Sequence, residues 1–409
     1  MDDQPHQLAR MLDELGRVTD EPGRLTRTFL SPAMERANLL VGGWMQDAGL
    51  AVREDETGNL VGRLESSRPG AKTLLLGSHL DTVRNAGRFD GALGVVLPIV
   101  ALADLRRRGV ALPFHVEVLA FSEEEAVRFT GAYIGSKAYT GRLRAKDLKL
   151  RDARNLTLQE VIEAHAGRPY TPPRAAHRPG SLIGYLEVHI EQGPVLEAKG
   201  LAVGVVSAIA SQTRGRLTFR GKAGHAGTTP MDLRRDALAG AAEFVLFVEA
   251  FAGARPPLVA TVGTVQVPAG AANVIPGEVT LSLDVRHPSD AACSAALADL
   301  VRQAQRTARR RRLACEWHPT MQHPATPCAP ELTKRLVRSV RAVQRHGLNL
   351  VSGAGHDAVI LAKLTRVAML FVRCRDGLSH HPAEFAAPKD LEIALRVVVD
   401  FLERLAAES

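Results

Sequence analysis

The sequence predicts an α/β fold: a mostly parallel sheet with helices on both faces, interrupted by an inserted α+β domain. Three observations carry this expectation. From Leu74 to Phe121 the chain reads as strand, helix, strand, and residues 331–409 return to that alternation. From about residue 211 the texture changes to strand, helix, two strands, helix and a closing strand, the pattern of a compact antiparallel α+β unit. Outside that stretch, apolar runs end in a His, a carboxylate or a Gly-rich turn, and parallel sheets bind ligands at the carboxyl ends of their strands. The expected division is residues 1–210 and 327–409 for the α/β domain and 211–326 for the insertion. A chain of 409 residues is comfortable for two domains.

Residues 31–49 carry both helix-end signals. Ser31 can cap, Pro32 suits the first helical position, and Gly49 is a stop. Between them Met34, Ala37, Val41, Trp44, Met45 and Ala48 recur at helical spacing. Leu74-Leu75-Leu76, ending at Gly77, reads as a buried strand that delivers His79 and Asp81. Gly91 to Leu105 reads as an apolar helix. Val116–Phe121 is a second buried strand and runs into Glu123, Glu124 and Glu125. Arg168–Gly180, rich in Pro and Arg, reads as an exposed loop, and Tyr185–Ile190 as a strand delivering His189. In the insertion, Thr213–Arg220, Leu258–Val267 and Glu278–Arg286 read as strands, and Asp236–Phe251 and Ala291–Arg312 as helices. Cys315–Met321 closes the unit, and His323–Pro327 reads as the hinge leading back.

The composition is that of a globular protein, with 45% hydrophobic and 23% charged residues. The net charge of +8 implies a basic surface that can steer an anionic substrate. Arg106–Arg108 and Arg309–Arg312 sit in helix-like stretches without aromatic partners or a nucleic-acid-binding motif, so no nucleic acid is expected. Cys293, Cys315, Cys328 and Cys374 form no C-x-x-C pair, which argues against a thiolate zinc site and for free thiols in a reducing cytosol. The first residues lack the n- and h-regions of a secretory signal, and no apolar run approaches the roughly 20 residues needed to span a bilayer. The expectation is a soluble, cytoplasmic protein with no membrane partner.

Five segments carry the chemistry: Gly77–Val83, Gly87–Gly91, Glu123–Glu125, His189–Pro194 and Ser379–Pro382. Imidazole and carboxylate suit zinc or manganese. Two such ions about 3.5–4 Å apart can generate a hydroxide and clamp a tetrahedral intermediate, which points to hydrolysis at a carbonyl carbon. His79 and Asp81, two apart on an extended strand, share a side, so one can bind an ion while the other orients it. Asp90, between Gly87 and Gly91, can bridge two ions, although D-G alone is an ordinary turn. Within the glutamate cluster one side chain can ligate while its neighbour takes a proton from water. His189, His380 and the glutamates would each be unremarked alone; their recurrence at five strand ends or Gly-rich turns outweighs the single readings. His225, in the polar loop Gly224–Pro230, could stabilise an oxyanion. Arg286, ending its strand, and Asn273 could grip a carboxylate.

These segments together resemble the M20 metallohydrolases, specifically the branch of allantoate amidohydrolases and N-carbamoyl-L-amino-acid hydrolases. GSHLDTV, GRFDG, the Glu pair before Arg128-Phe129, HIEQGP, GHAGTTPM, NVIPG, SGAGHDA and SHHPAE occur in order, from about Arg24 to Leu402. The resemblance implies a zinc-exopeptidase-like catalytic domain holding two divalent ions, Zn2+ or Mn2+, and an inserted lid that also dimerises. It implies His79, Asp90 (bridging), Glu125, His189 and His380 as ligands, Glu124 as general base and Asp81 as support for His79. It further implies substrate binding by Gln212, Asn273, Arg286 and the Gly355 loop, and oxyanion stabilisation by His225. In this branch lid residues complete the partner's site, so a homodimer is expected.

Ala86 and Ala126 depart from the branch's usual Gly, and Phe371-Val372-Arg373-Cys374 stands where carbamoylases commonly carry Pro-Ser. Arg373-Cys374 looks more like bacterial allantoate amidohydrolases. The implied function is therefore cleavage of a ureido C–N bond in a small anionic substrate, foremost allantoate to ureidoglycine, ammonia and CO2. The alternative is an N-carbamoyl-L-amino-acid hydrolase. A non-enzymatic binding protein on this fold would be expected to lack a ligand or Glu124, and the sequence retains them all.

Overall fold

The computed structural model of the chain describes residues 4–178, 180–268 and 270–408. The chain divides into two compact units, Met1–Ser207 with Cys328–Ser409, and Ala208–Pro327. The strands in chain order are β1 (Ala51–Glu54), β2 (Leu60–Leu64), β3 (Thr73–His79), β4 (His115–Phe121), β5 (Leu182–Ile190), β6 (Val203–Ile209), β7 (Ser211–Arg220) and β8 (Gly224–His225). They continue with β9 (Val259–Thr261), β10 (Val265–Gln266), β11 (Val274–Ile275), β12 (Glu278–His287), β13 (Ala314–His323), β14 (Thr326–Pro327), β15 (Asn349–Ser352) and β16 (Val367–Val372).

The sheet of the first unit runs β1-β2-β4-β3-β5-β16-β6, with β15 also paired to β6. Its centre is parallel, through β4, β3, β5 and β16, and both flanks are antiparallel. The parallel strands are buried along nearly their whole length because they are covered on both faces. Along them, alternate residues face opposite ways. Leu74, Leu76, Val116, Val118, Leu186, Val188, Ala368 and Leu370 join the main core. That core is closed by the helices Gln4–Leu15, Ala92–Arg107, Pro330–Gln344 and Pro388–Ala407. The other face carries His79, Glu117, Tyr185, Glu187 and His189, all buried, with the short helix Ala358–Leu361 packed on β5 and β16. The helix Ala92–Arg107 is apolar around its whole girth because it lies between the sheet and other helices. Truncating one of its buried leucines, such as Leu97, to Ala would cost about 2–5 kcal/mol.

The helix Pro32–Asp47 has the expected start: the Ser31 side chain accepts the N–H of Met34, and Pro32 occupies the first turn. The segment 168–178 forms no helix or strand, and Pro179 lies outside the described residues. Tyr170 in that segment is nevertheless buried, in a satellite cluster with Phe29, Phe129, Ile134 and Leu158.

The second unit is an antiparallel sheet ordered β10-β12-β7-β13, with β9 also paired to β12. The helices Ala237–Gly253 and Asp290–Arg310 bury its apolar face, through Leu217, Phe219, Val279, Leu281 and Leu283 against Phe244 and Leu300. Leu258–Val267, expected as one strand, is two short ones. The N–H groups of Gly263 and Thr264 turn to the Ser282 hydroxyl, at 3.2 and 2.9 Å, which interrupts the ladder. Among the described residues, no helix is long and apolar enough to cross a membrane.

Candidate metal centre

Three parallel strands end side by side, and their last residues bring the centre together. β3 ends at His79, in register with Phe121 of β4. The chain continues from β4 through Ser122 into Glu123–Glu125, and β5 delivers His189. The turn around Asp90 and the segment around His380 supply the remaining side chains.

Ligand-type atoms of His79, Asp90 and His189 lie within 4.8 Å of one another, as do those of Asp90, Glu125 and His380. Asp90 is shared. Its Oδ1 is 3.6 Å from His79 Nε2 and 3.1 Å from His189 Nε2, and its Oδ2 is 3.2 Å from His380 Nε2. Glu125 Oε1 stands 3.3 Å from His380 Nε2. Glu124 groups with His79 and Glu125 within the same 4.8 Å limit. Two His/carboxylate sets joined through one carboxylate are the donor chemistry that a pair of zinc or manganese ions requires.

Local backbone explains why these side chains converge. Gly91 has φ +64, and a Cβ there would lie 2.4 Å from His79 Cε1, so only glycine lets the turn pass beneath the imidazole. Asp81 accepts the N–H groups of Glu124 and Glu125 on its two carboxylate oxygens, at 3.1 and 3.0 Å. The carbonyl of Asp81 lies 3.0 Å from His79 Nδ1, which leaves Nε2 facing Asp90.

The electrostatics are those of crowded acids. Burial, reinforced by the Asp90 charge, pushes Glu125 up to about 7. Burial pushes Glu124 well above the usual carboxylate range, with His79 opposing and Glu125, Asp357 and Asp81 adding. Burial and the Asp81 charge raise Glu123 to about 8. Asp90 goes the other way: burial favours its neutral form, but the charge and hydrogen bond of His189 hold it well below its usual value. Its hydrogen bond to Asp90 raises His380 to about 9. Such a cluster of carboxylates is relieved by bound cations.

The structure thus brings His79, Asp81, Asp90, Glu124, Glu125, His189 and His380 into one place in the first unit. Gly355, also in this unit, lies against Tyr133; a Cβ on Gly355 would stand 2.0 Å from the Tyr133 hydroxyl. The other four expected residues belong to the second unit and form two local groups. Gln212 and Arg286 are opposite one another on β7 and β12, and both bond Asp284, Gln212 Nε2 at 2.8 Å and Arg286 Nη2 at 2.8 Å. His225 is exposed and pairs with Val274 across β8 and β11, and the carbonyl of Asn273 accepts the N–H of Ala226 at 2.8 Å.

Arg373, the basis for favouring allantoate, is committed elsewhere. Its guanidinium makes two bonds to Asp390, at 2.8 and 2.6 Å, at the start of the helix Pro388–Ala407. It fastens that helix to the end of β16, so its physical role here is in the scaffold.

No expectation from the sequence attaches to Gln192, Ser379, Glu384 or Tyr133. Gln192 Nε2 and Ser379 Oγ lie 2.8 and 2.7 Å from Asp90 Oδ2, and Glu384 holds the Asp90 turn from below. Three of them stand inside the motifs HIEQGP and SHHPAE, where a polar residue next to a ligand is the available signal. Tyr133 offers no such signal.

Residues 75–404 match the family model described as peptidase family M20/M25/M40. The chain is 39% identical to an allantoate deiminase 2 of Glycine max, over 97% of this chain and 88% of that one. It is 37% identical to an N-carbamoyl-L-amino acid amidohydrolase of Geobacillus stearothermophilus, over 98% and 99%. A solved amidase of the hydantoinase/carbamoylase family from Burkholderia multivorans superposes with a TM-score of 0.92 at 32% identity, covering 98% of both chains. Its sequence and its fold together place this chain in the M20/M25/M40 peptidase family, among that family's amidohydrolases.

Proposed function

We propose that this chain is a metal-dependent amidohydrolase that cleaves a ureido C–N bond, with allantoate as its leading substrate. The observation that carries the reading is Asp90, shared between the His79/His189 set and the Glu125/His380 set. His79, Asp90 and His189 would hold one divalent ion, and Asp90, Glu125 and His380 the other, as Zn2+ or Mn2+. Two ions held there would supply Lewis acidity toward a carbonyl oxygen and lower the pKa of water.

The chain's own residues do the rest. Glu124, beside both sets yet assigned to neither, takes a proton from the attacking water. As the C–N bond breaks it returns that proton to the leaving nitrogen. From allantoate the products are ureidoglycine and a carbamate that falls to ammonia and CO2. Asp81 keeps His79 oriented and Glu124 in place. His225 stabilises the oxyanion, while Arg286, Asn273, Gln212 and the Gly355 loop hold the substrate carboxylate and amide. We assign the second unit the roles of lid and dimer contact, with its residues completing the partner's site in a homodimer. The free cysteines fit a cytoplasmic location.

The second reading, an N-carbamoyl-L-amino-acid hydrolase, is favoured by the relative of that name at nearly equal identity and by the structural employment of Arg373. Both readings share one test. Manganese-loaded protein should release ammonia from a ureido acid, lose that activity on chelation, and regain it with Mn2+ or Zn2+. Turnover that survives exhaustive chelation would refute metal dependence.

A further inference from the structure

Glu384 lies four residues beyond His380 and is almost wholly buried. Its Oε1 accepts the backbone N–H groups of Phe89 at 2.8 Å and Asp90 at 3.1 Å. Its Oε2 lies 3.0 Å from Ser379 Oγ. That hydroxyl is 2.7 Å from Asp90 Oδ2, an oxygen that also receives Gln192 Nε2 at 2.8 Å. One carboxylate therefore ties the backbone of the shared residue to the segment that carries His380.

The two sides of the centre differ in what holds them. His79 and His189 are on strands β3 and β5 in the middle of the sheet, where pairing with Phe121 of β4 and Phe371 of β16 fixes them. His380 has no such support. It is half exposed, lies in a loop, and has φ +57, a left-handed conformation that is strained for a non-glycine residue. The turn closes tightly around Glu384: a Cβ on Gly87 would lie 2.3 Å from its Cβ.

We propose that Glu384 is a positioning residue that sets Asp90 against His380, so that the affinity of the second ion depends on it more than that of the first. The proposal rests on the dinuclear reading above. Glu384 acts through hydrogen-bond geometry, since its partners are two backbone donors and a hydroxyl. A glutamine can keep that pattern, accepting on its carbonyl oxygen and donating from its amide to Ser379 Oγ. An alanine cannot, and it leaves two buried N–H groups unpaired.

The test is equilibrium titration of chelator-stripped protein with Co2+, followed by its visible absorption, for wild type, Glu384→Ala and Glu384→Gln, with thermal melting to confirm the fold. Wild type should bind two ions per chain. Glu384→Ala should keep the first within a few-fold and weaken the second by roughly 10–100-fold. Glu384→Gln should restore most of that loss. If the alanine variant does not fold, Gly87→Ala takes its place, crowding the same carboxylate from within the Asp90 turn and weakening the same ion. Second-ion affinity unchanged in the disrupted variant, or equal loss in Gln and Ala, overturns the proposal. Wild-type protein that binds fewer than two ions would instead defeat the dinuclear reading.

Discussion

The Asp81 carboxylate accepts the backbone N–H of Glu124, with Oδ1 3.1 Å from that nitrogen, while Oδ2 takes the N–H of Glu125 at 3.0 Å. The buried Asp81 carboxylate thus fixes the start of the acidic segment, while the backbone carbonyl of the same residue faces the imidazole of His79. An asparagine has one acceptor oxygen and would turn its NH2 toward the other N–H. Asp81→Asn should therefore lower kcat/KM by roughly 10–100-fold at saturating metal. Steady-state kinetics beside a melting curve would check this, and wild-type kinetics in the variant would remove Asp81 from the machinery.

Glu124→Gln should leave metal content and KM nearly unchanged and lower kcat by about 10²–10⁴-fold, the usual worth of a positioned acid–base group. Metal analysis and kinetics on the same preparation separate the alternatives. A variant that loses an ion would make Glu124 a ligand, and one that turns over normally would end its assignment as the base.

The fold was legible where one physical rule dominated. Ser31 and Pro32 start their helix because a free N–H needs a cap and proline lacks one. The centre was legible as segments because a ligand at a strand end needs a small, turning neighbour, as Gly91 beneath His79 demonstrates. What escaped depends on distant partners. The split of Leu258–Val267 is imposed by Ser282, about twenty residues away in sequence, and Arg373 is claimed by Asp390 of a later helix. The role of Glu384 leaves no local mark in the sequence because its partners are backbone groups nearly three hundred residues away. The flanking strands β1 and β6 drew no expectation; β1 is short and mostly exposed, so it lacks an apolar signature.

Arg286 and Gln212 meet on Asp284, which holds the guanidinium in a fixed orientation at the end of β12. If that group receives the substrate carboxylate, Arg286→Ala should cost about 2–5 kcal/mol of transition-state stabilisation, read from the ratio of kcat/KM values. The corresponding carboxamide substrates should show little change. Equal losses on both substrate types would indicate that Arg286 serves the fold and not recognition.

Glu117 links three elements, bonding Arg63 at 2.8 Å, Tyr139 at 2.6 Å and His177 at 3.0 Å. Burial opposes its charge, but the hydrogen bonds of His177 and Tyr139 win and bring its carboxyl from 4.5 down to about 2. The folded pKa lies below the unfolded one, so the stabilisation is complete above pH 4.5 and disappears as pH falls toward 2. It amounts to about 3 kcal/mol. Denaturant midpoints measured across that window should fall for wild type and flatten in Glu117→Gln. Identical acid limbs would contradict the assignment.

The decisive measurement compares allantoate with a panel of N-carbamoyl-L-amino acids as substrates of the manganese-loaded protein, by ammonia release. Turnover of ureido acids is expected, with kcat/KM for allantoate at least about tenfold above that of any carbamoyl amino acid, a difference of about 1.4 kcal/mol. Preference for a carbamoyl amino acid would keep the centre and reassign the substrate. No ammonia from any member of the panel, with two ions bound, would contradict the central claim.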